Sequence, residues 1–168
     1  MPSSLTYPAH TTIITGVSPV RHGILSNKPF DPFNKNGNGW YWYADDIKIE
    51  TLWDKATKAG LVTGNVEWPV AVGANITYNI PQYWRGSGWD NHKILKIVSS
   101  FNLLDEAEKA VGSYPYGYKD TIEDDCQRKE FNIFILKNKK PDLHFCYLTG
   151  LDTEQHNTGH YSHETFSV

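Results

Sequence analysis

The sequence predicts an α/β protein in which a largely parallel central sheet carries helices on both faces. Residues 143–149 (LHFCYLT) form a nearly continuous apolar run, which is typical of a parallel strand covered on both sides. Segments with helix and strand character also alternate along the chain, as βα units do. At 168 residues the chain is long enough to form one domain with a core, so residues 1–168 are treated as one domain.

The first predicted helix begins at Thr6. Thr6 is a favourable N-cap, Pro8 fits the first turn, and Gly16 can adopt the left-handed conformation that ends a helix, with Pro19 close behind. A hydroxyl at this end faces free backbone N–H groups and the positive end of the helix dipole, where phosphate binds readily. Thr6 therefore has two interpretations, a simple helix cap or a nucleophile mounted on a helix.

A long segment without sustained periodicity follows Asn27, and it is interpreted as an ordered loop over residues 28–46. The aromatic cluster at residues 40–43 (WYWY) favours order, because aromatic side chains at this density seek burial. We expect the cluster to pack over the edge of the sheet, and direct stacking on a substrate is the alternative.

Caps and breakers mark the elements in the rest of the chain. Thr51 caps a predicted helix that Gly60 ends, and Thr121 opens the longest helix, which Pro141 stops. A further helix could begin after Ser162. The remaining predictions are a strand at 61–68, a turn-rich segment at 68–81, loops at 84–91 and 112–119, and short helices at 93–99 and 103–111.

Asp152 and His156 follow the apolar run of residues 143–149. Open α/β sheets place their ligands beyond the carboxyl ends of the strands, and a D-x-x-x-H spacing brings a carboxylate and an imidazole together on one turn or a tight loop. Such oxygen and nitrogen ligands suit zinc, with a third protein ligand and an open position at a catalytic site. In the alternative interpretation, Asp152 forms a turn and His156 is an ordinary loop histidine.

Composition restricts the partners. A net charge of −3 argues against a general nucleic-acid or membrane-surface binder, and no apolar run approaches the length of a membrane span. Cys126 and Cys146 match no metal motif and are expected to be free thiols, with Cys146 buried. No signal peptide is visible.

Several segments carry a family resemblance. TYPAHTTIITGVSP and HGILSN, then TLWDKATKAG, VEWPVAVGANITYNIP and PDLHFCYLTGLDTEQHNTG resemble motifs of the type I phosphodiesterase/nucleotide pyrophosphatase family, in the alkaline phosphatase superfamily. They occur in the family's order, from Thr6 to Gly159. The resemblance implies an alkaline phosphatase-like α/β/α sandwich and a metal-dependent hydrolase of phosphodiesters or nucleotide pyrophosphates. It also implies a phosphothreonine intermediate.

The resemblance assigns roles residue by residue. Thr6 matches the family's nucleophile and metal ligand, and Asn27 matches the residue that binds the transferring phosphoryl group. Asp152 and His156 match ligands of one of two divalent metal ions, for which zinc is expected. The backbone N–H groups after Thr6 are expected to add to the stabilisation of phosphoryl charge. The implied partner is a small phosphodiester or nucleotide, and the implied location is secreted or periplasmic.

Other metal ligands of the family find no match. The family's first metal-binding Asp precedes the nucleophile by some tens of residues, and further ligands follow the second metal motif. We therefore expect residues 1–168 to be a partial catalytic domain that binds metal weakly and is nearly or wholly inactive alone. Two other functions remain open, a phosphomonoesterase of the same superfamily and a non-catalytic truncated fragment.

Overall fold

The chain forms both helices and strands, as the sequence predicts, but no helix separates the first two strands. The computed structural model describes residues 4–85, 89–116 and 120–167. Its α-helices are α1 (Thr6–Thr15), α2 (Pro19–His22), α3 (Leu52–Lys58), α4 (Trp89–Val98), α5 (Leu103–Val111), α6 (Ile122–Asn138) and α7 (Gly150–Thr158). Two short 3-10 helices cover Ala44–Asp46 and Thr165–Ser167.

The strands form one parallel sheet in the order β2–β1–β3. In the centre, Gly64 lies opposite Tyr78 on one side and His144 on the other. The predicted parallel sheet is therefore confirmed. The strands are β1 (Thr63–Val66), β2 (Tyr78–Ile80) and β3 (Leu143–Cys146).

Successive residues of a strand point to opposite faces of the sheet, and helices cover both faces. Val66 packs with Phe131 and Ile135 of α6 in one core cluster. Phe145 packs on the other face, where its ring lies 5.6 Å from that of Trp53 in α3. The fold class predicted from the sequence, a parallel sheet between helices, is thus confirmed.

The apolar run 143–149 predicts a central strand, but β3 lies at the edge of the described sheet. Phe145 is its one fully buried side chain among the described residues. Cys146 is exposed, so the prediction that it is buried is wrong. The physical reason is that, in the described part of the chain, no strand pairs with β3 on its far side. Both cysteines are free, as predicted.

β2 falls in the segment that the sequence predicts to be turn-rich. Three residues are too few to show a period, and the middle one is a polar residue, Asn79. Its amide is nevertheless buried and accepts a hydrogen bond of 2.7 Å from Asn65 Nδ2. The predicted caps at Thr51 and Thr121 are confirmed, since each forms a reciprocal capping box with the residue three positions later.

Several boundaries differ from prediction. α4 begins at Trp89, inside the loop predicted at 84–91, and α2 was not predicted. The predicted loop at 112–119 lies partly outside the described residues. After Ser162 a short 3-10 turn forms in place of the expected helix. Among the described helices, none combines the length and apolar character needed to cross a membrane.

Candidate active site

The carboxyl ends of the parallel strands open onto one cavity of about 580 Å³. Trp84, which follows β2, and Tyr147, which follows β3, line this cavity. Residues at the start of α1 and along α7 also line it. Its position agrees with the rule that α/β sheets bind ligands beyond the carboxyl ends of their strands.

All four site residues predicted from the sequence line this one cavity: Thr6, Asn27, Asp152 and His156. Thr6 starts α1, Asn27 lies in the loop after α2, and the other two lie on α7. Elements from opposite ends of the chain therefore bring these side chains together, which the sequence order alone does not require.

Thr6 is the first residue of α1, and its N-cap is Leu5, so the prediction that Thr6 is the N-cap is wrong. The Leu5 side chain cannot cap the helix, because it has no atom that accepts a hydrogen bond. The half-buried Thr6 side chain instead lines the cavity, as the phenol of Tyr147 does. Burial raises the pKa of Tyr147, so this phenol stays protonated at neutral pH.

Asn27 supplies the cap that α1 lacks. The Tyr7 N–H donates to Asn27 Oδ1 at 2.9 Å, and the Tyr41 N–H fixes the Asn27 backbone by donating to its carbonyl at 3.0 Å. The bond from the Tyr7 N–H also defines the orientation of the Asn27 side-chain amide, because only its oxygen can accept from an N–H. Among the described residues, no hydrogen bond uses the Asn27 NH₂ group, and Asn27 lines the cavity.

The backbone amides after Thr6 do not serve the site as predicted. The Tyr7 N–H is bonded to Asn27, Pro8 has no N–H, and the Ala9 N–H donates to the Leu5 carbonyl at 3.0 Å. The sequence suggested free amides because the capping contact from Asn27 is a tertiary one. These two amides are therefore engaged within α1 and its cap.

His22 stabilises the loop that leads to Asn27. Its fully buried ring has Nε2 3.1 Å from Thr12 Oγ1, and its Nδ1 accepts from the Ile24 N–H at 3.2 Å. Burial lowers the pKa of His22, which keeps the ring neutral and allows Nδ1 to accept. Gly23 follows with a φ of 89°, a conformation that glycine adopts readily.

Asp152 and His156 lie one turn apart on α7, so the predicted turn or tight loop is a helix. Asp152 Oδ2 is 3.7 Å from His156 Nε2, which is too long for a hydrogen bond. Both side chains remain largely exposed at the cavity. A carboxylate and an imidazole that are not bonded to each other and lie on one helix face could serve as two ligands of one divalent ion. In the described ranges, no group of three or more His, Cys, Asp or Glu side chains could hold a metal.

Aromatic rings line part of the cavity. The Trp40 ring lies 5.2 Å from both Trp84 and Tyr7, and Trp42 is buried in a core cluster with Tyr7. Trp42 is therefore buried, as the density of aromatic side chains predicts, but its cluster includes no residue of the three strands, and Trp40 lines the cavity. Sequence reasoning missed Trp84 and Tyr147, although both follow strands, which is the signal that identified Asp152.

A parallel sheet between helices, with a cavity at the strand ends, defines an open α/β protein. The family model of the type I phosphodiesterase/nucleotide pyrophosphatase family matches residues 1–168. The chain belongs to this family.

Relatives agree with this assignment. Human ectonucleotide pyrophosphatase/phosphodiesterase family member 1 is 31% identical over 111 residues, which are 58% of this chain and 11% of the human protein. Bovine family member 3 is 27% identical over 170 residues, covering 92% of this chain and 15% of that protein. An inactive variant of murine family member 5, in complex with AMP, superposes with a TM-score of 0.56 and 23% identity. This chain covers 36% of that structure, so it spans a minor part of these relatives.

Proposed function

We propose that the chain carries the nucleophile half of a phosphodiesterase/nucleotide pyrophosphatase site. The observation that supports this most directly is the convergence of Thr6, Asn27, Asp152 and His156 on one cavity. A hydroxyl, a neutral amide donor and a metal-ligand pair are the groups that phosphoryl transfer requires. If Thr6 and His156 had only structural roles, nothing would require them to line the same cavity.

The cavity favours a diester over a monoester. Its volume of about 580 Å³ is typical of small-molecule sites, and two tryptophan rings line it together with Thr6. Such a wall leaves room for an organic group on each side of the phosphorus. The AMP in the murine neighbour supports a nucleotide as one such group.

The chain's own residues suggest a double displacement. Thr6 Oγ1 attacks the phosphorus, the bond from phosphorus to the leaving oxygen breaks, and the retained half of the substrate stays on Thr6 as an esterified phosphothreonine. The leaving oxygen keeps the electron pair of the broken bond and takes up the proton that Thr6 loses. Water then attacks the same phosphorus, and one of its protons restores the Thr6 hydroxyl as the bond from phosphorus to Oγ1 breaks. Asn27 donates a hydrogen bond from its NH₂ group to a non-bridging oxygen throughout, while its own oxygen continues to cap α1. Tyr147 lies in the same cavity as Thr6 and, being protonated, is not the base.

The donor set indicates where metal would be held. Asp152 and His156 would bind one divalent ion, and Thr6 would contact a second one, with zinc as the expected metal. When bound, such ions supply Lewis-acid stabilisation of the negative charge on the phosphoryl oxygens and on the Thr6 oxygen. Two side chains on one helix are fewer than the three protein ligands of a typical catalytic zinc, so residues 1–168 alone should bind weakly and turn over little or no substrate.

The test is hydrolysis of a chromogenic diester by the protein expressed from the complete reading frame that contains residues 1–168. Thr6→Ala should reduce turnover to background with the far-UV spectrum unchanged. Thr15→Ala is the matched control, because Thr15 lies on the same helix and its hydroxyl bonds to the Thr11 carbonyl. Near-wild-type activity of the Thr6 variant would end the proposal, and faster hydrolysis of the matching monoester would favour the phosphomonoesterase alternative.

A further inference from the structure

A buried arginine lies behind the cavity, in the middle of the chain's longest helix. Arg128 of α6 is 1% exposed, although arginine is almost never fully buried unless it is paired. Its guanidinium lies within 4 Å of three carboxylates, those of Glu67, Asp120 and Asp125. None of the roles described above for the site uses this arginine.

One side of the guanidinium leads to α7. Arg128 Nη1 donates to Asp125 Oδ1 at 2.9 Å and to Thr149 Oγ1 at 2.6 Å. Asp125 in turn accepts the Thr149 N–H at 3.0 Å and the Gly150 N–H at 2.6 Å. These two amides are the start of α7, whose N-cap side chain makes no capping bond of its own. Asp125 therefore caps α7 from a neighbouring helix, and Arg128 holds Asp125 in place.

Gly150 confirms how closely the two helices approach. A Cβ atom at this position would lie 2.9 Å from Asp125 Oδ2 and 3.4 Å from the Ile122 backbone. A side chain at residue 150 would therefore require the Asp125 carboxylate, which reaches both amides, to shift. The contact thus depends on the residue at the start of the helix that carries Asp152 and His156.

The other side of the guanidinium leads to α1. Arg128 Nη2 lies 3.8 Å from Glu67 Oε1, and Gln82 is one of the polar neighbours that oppose the raising of the Glu67 pKa by burial. Gln82 Oε1 accepts a hydrogen bond from the hydroxyl of Tyr7, the residue after Thr6, at 2.9 Å. Glu67 has a φ of 68°, which is uncommon for a residue other than glycine. A row of neighbouring polar side chains leads in this way from Arg128 to the residue after Thr6.

We propose that Arg128 and Asp125 are positioning residues, which set the place of α7, and so of Asp152 and His156, relative to Thr6. The inference rests on the proposed function for its catalytic consequence. Stability alone is a poor reason for this arrangement, because a buried charge cluster is often no more stabilising than an apolar one of the same shape. Its ends, at the first amides of α7 and at the residue after Thr6, match a positioning role.

The test compares Asp125→Asn with Asp124→Asn, a matched control on the next residue. The Asp124 carboxylate accepts the Thr121 N–H in the capping box of α6, so its variant perturbs the same turn without touching α7. Thr149→Val is a milder second variant, because it removes the hydroxyl that Arg128 contacts and keeps the backbone amides. All three are made in the protein expressed from the complete reading frame.

The first readout is hydrogen exchange of residues 150–158 in the metal-free protein, which requires no activity. Loss of charge-assisted bonds to the first amides of α7 should speed exchange there about tenfold or more in Asp125→Asn. Exchange in α5 and β1 should change much less, and Asp124→Asn should leave α7 at the wild-type rate. Unchanged α7 exchange in Asp125→Asn, or an equal increase across all elements, would overturn the proposal. If Asp125→Asn does not fold, the same comparison with Thr149→Val decides.

The second readout separates positioning from binding. Asp125→Asn should lower kcat about 10- to 100-fold with KM nearly unchanged. Displacement of the proposed metal ligands Asp152 and His156 should affect the chemical step more than the binding of substrate. The visible absorption spectrum of the Co²⁺-substituted protein should change in the same variant and not in the control. A KM effect alone would contradict positioning. A wild-type protein that neither binds Co²⁺ nor turns over substrate would contradict the proposed function, while the exchange result would still judge the role of Asp125.

Discussion

Asn27 offers the sharpest test of how the site is built, because two atoms of one side chain have separate roles. Its Oδ1 accepts the Tyr7 N–H and caps α1, whereas its NH₂ group is the donor proposed for the phosphoryl oxygen. Asn27→Asp keeps an oxygen for the cap and removes the donor, and Asn27→Ala removes both. Loss of an N-cap bond costs about 1 kcal/mol of stability, and loss of one such donor lowers kcat about 100- to 1,000-fold.

The two variants should therefore differ in stability and agree in activity. Asn27→Ala should unfold about 1 kcal/mol more readily than the wild type, whereas Asn27→Asp should match or exceed it because a negative charge suits the start of a helix. Both should lose diester turnover. The assay is urea unfolding of the metal-free protein together with kcat for a chromogenic diester. An active Asn27→Asp variant, or an Asn27→Ala variant as stable as the wild type, would refute this reasoning.

Two further predictions concern the sheet and its pH dependence. Gly64→Ala should destabilise the fold by about 1–3 kcal/mol in urea unfolding, because a Cβ there would lie 2.5 Å from His144 Nδ1 and 3.1 Å from Pro141. His144 should make the fold sensitive to acid, since burial lowers its pKa from 6.5 to about 4 while Nε2 bonds to Asn132. A lowered pKa in the folded state means that this stabilisation is complete above pH 6.5 and is lost as the pH falls toward 4. His144→Leu should therefore show a shallower loss of stability over this interval, and an identical slope would contradict the assignment.

Local patterns predict much of this fold. The capping boxes at Thr51 and Thr121 need only residues three positions apart, and both form as expected. The position of Asp152 and His156 after an apolar run was enough to predict their place at the ligand edge. Each of these signals lies within a few residues of the chain.

Contacts between distant segments were not predictable in the same way. β2 is a three-residue strand with a polar centre, so its identity depends on pairing with β1. Asn27 caps α1 across a loop, which removes the amides that the sequence alone leaves free. Arg128 resembles a surface residue of a charged helix, because two of its partners, Glu67 and Thr149, are far from it in sequence.

The central claim is that Thr6 is the nucleophile, and the most direct measurement is to trap its adduct. The protein from the complete reading frame is mixed with a nitrophenyl nucleotide diester, quenched in acid during turnover and digested, and the peptide that contains Thr6 is weighed by mass spectrometry. We expect a mass increase equal to the retained nucleotide on Thr6, and no such adduct in Thr6→Ala. An adduct on another residue, or steady turnover in the Thr6→Ala variant, would contradict the claim.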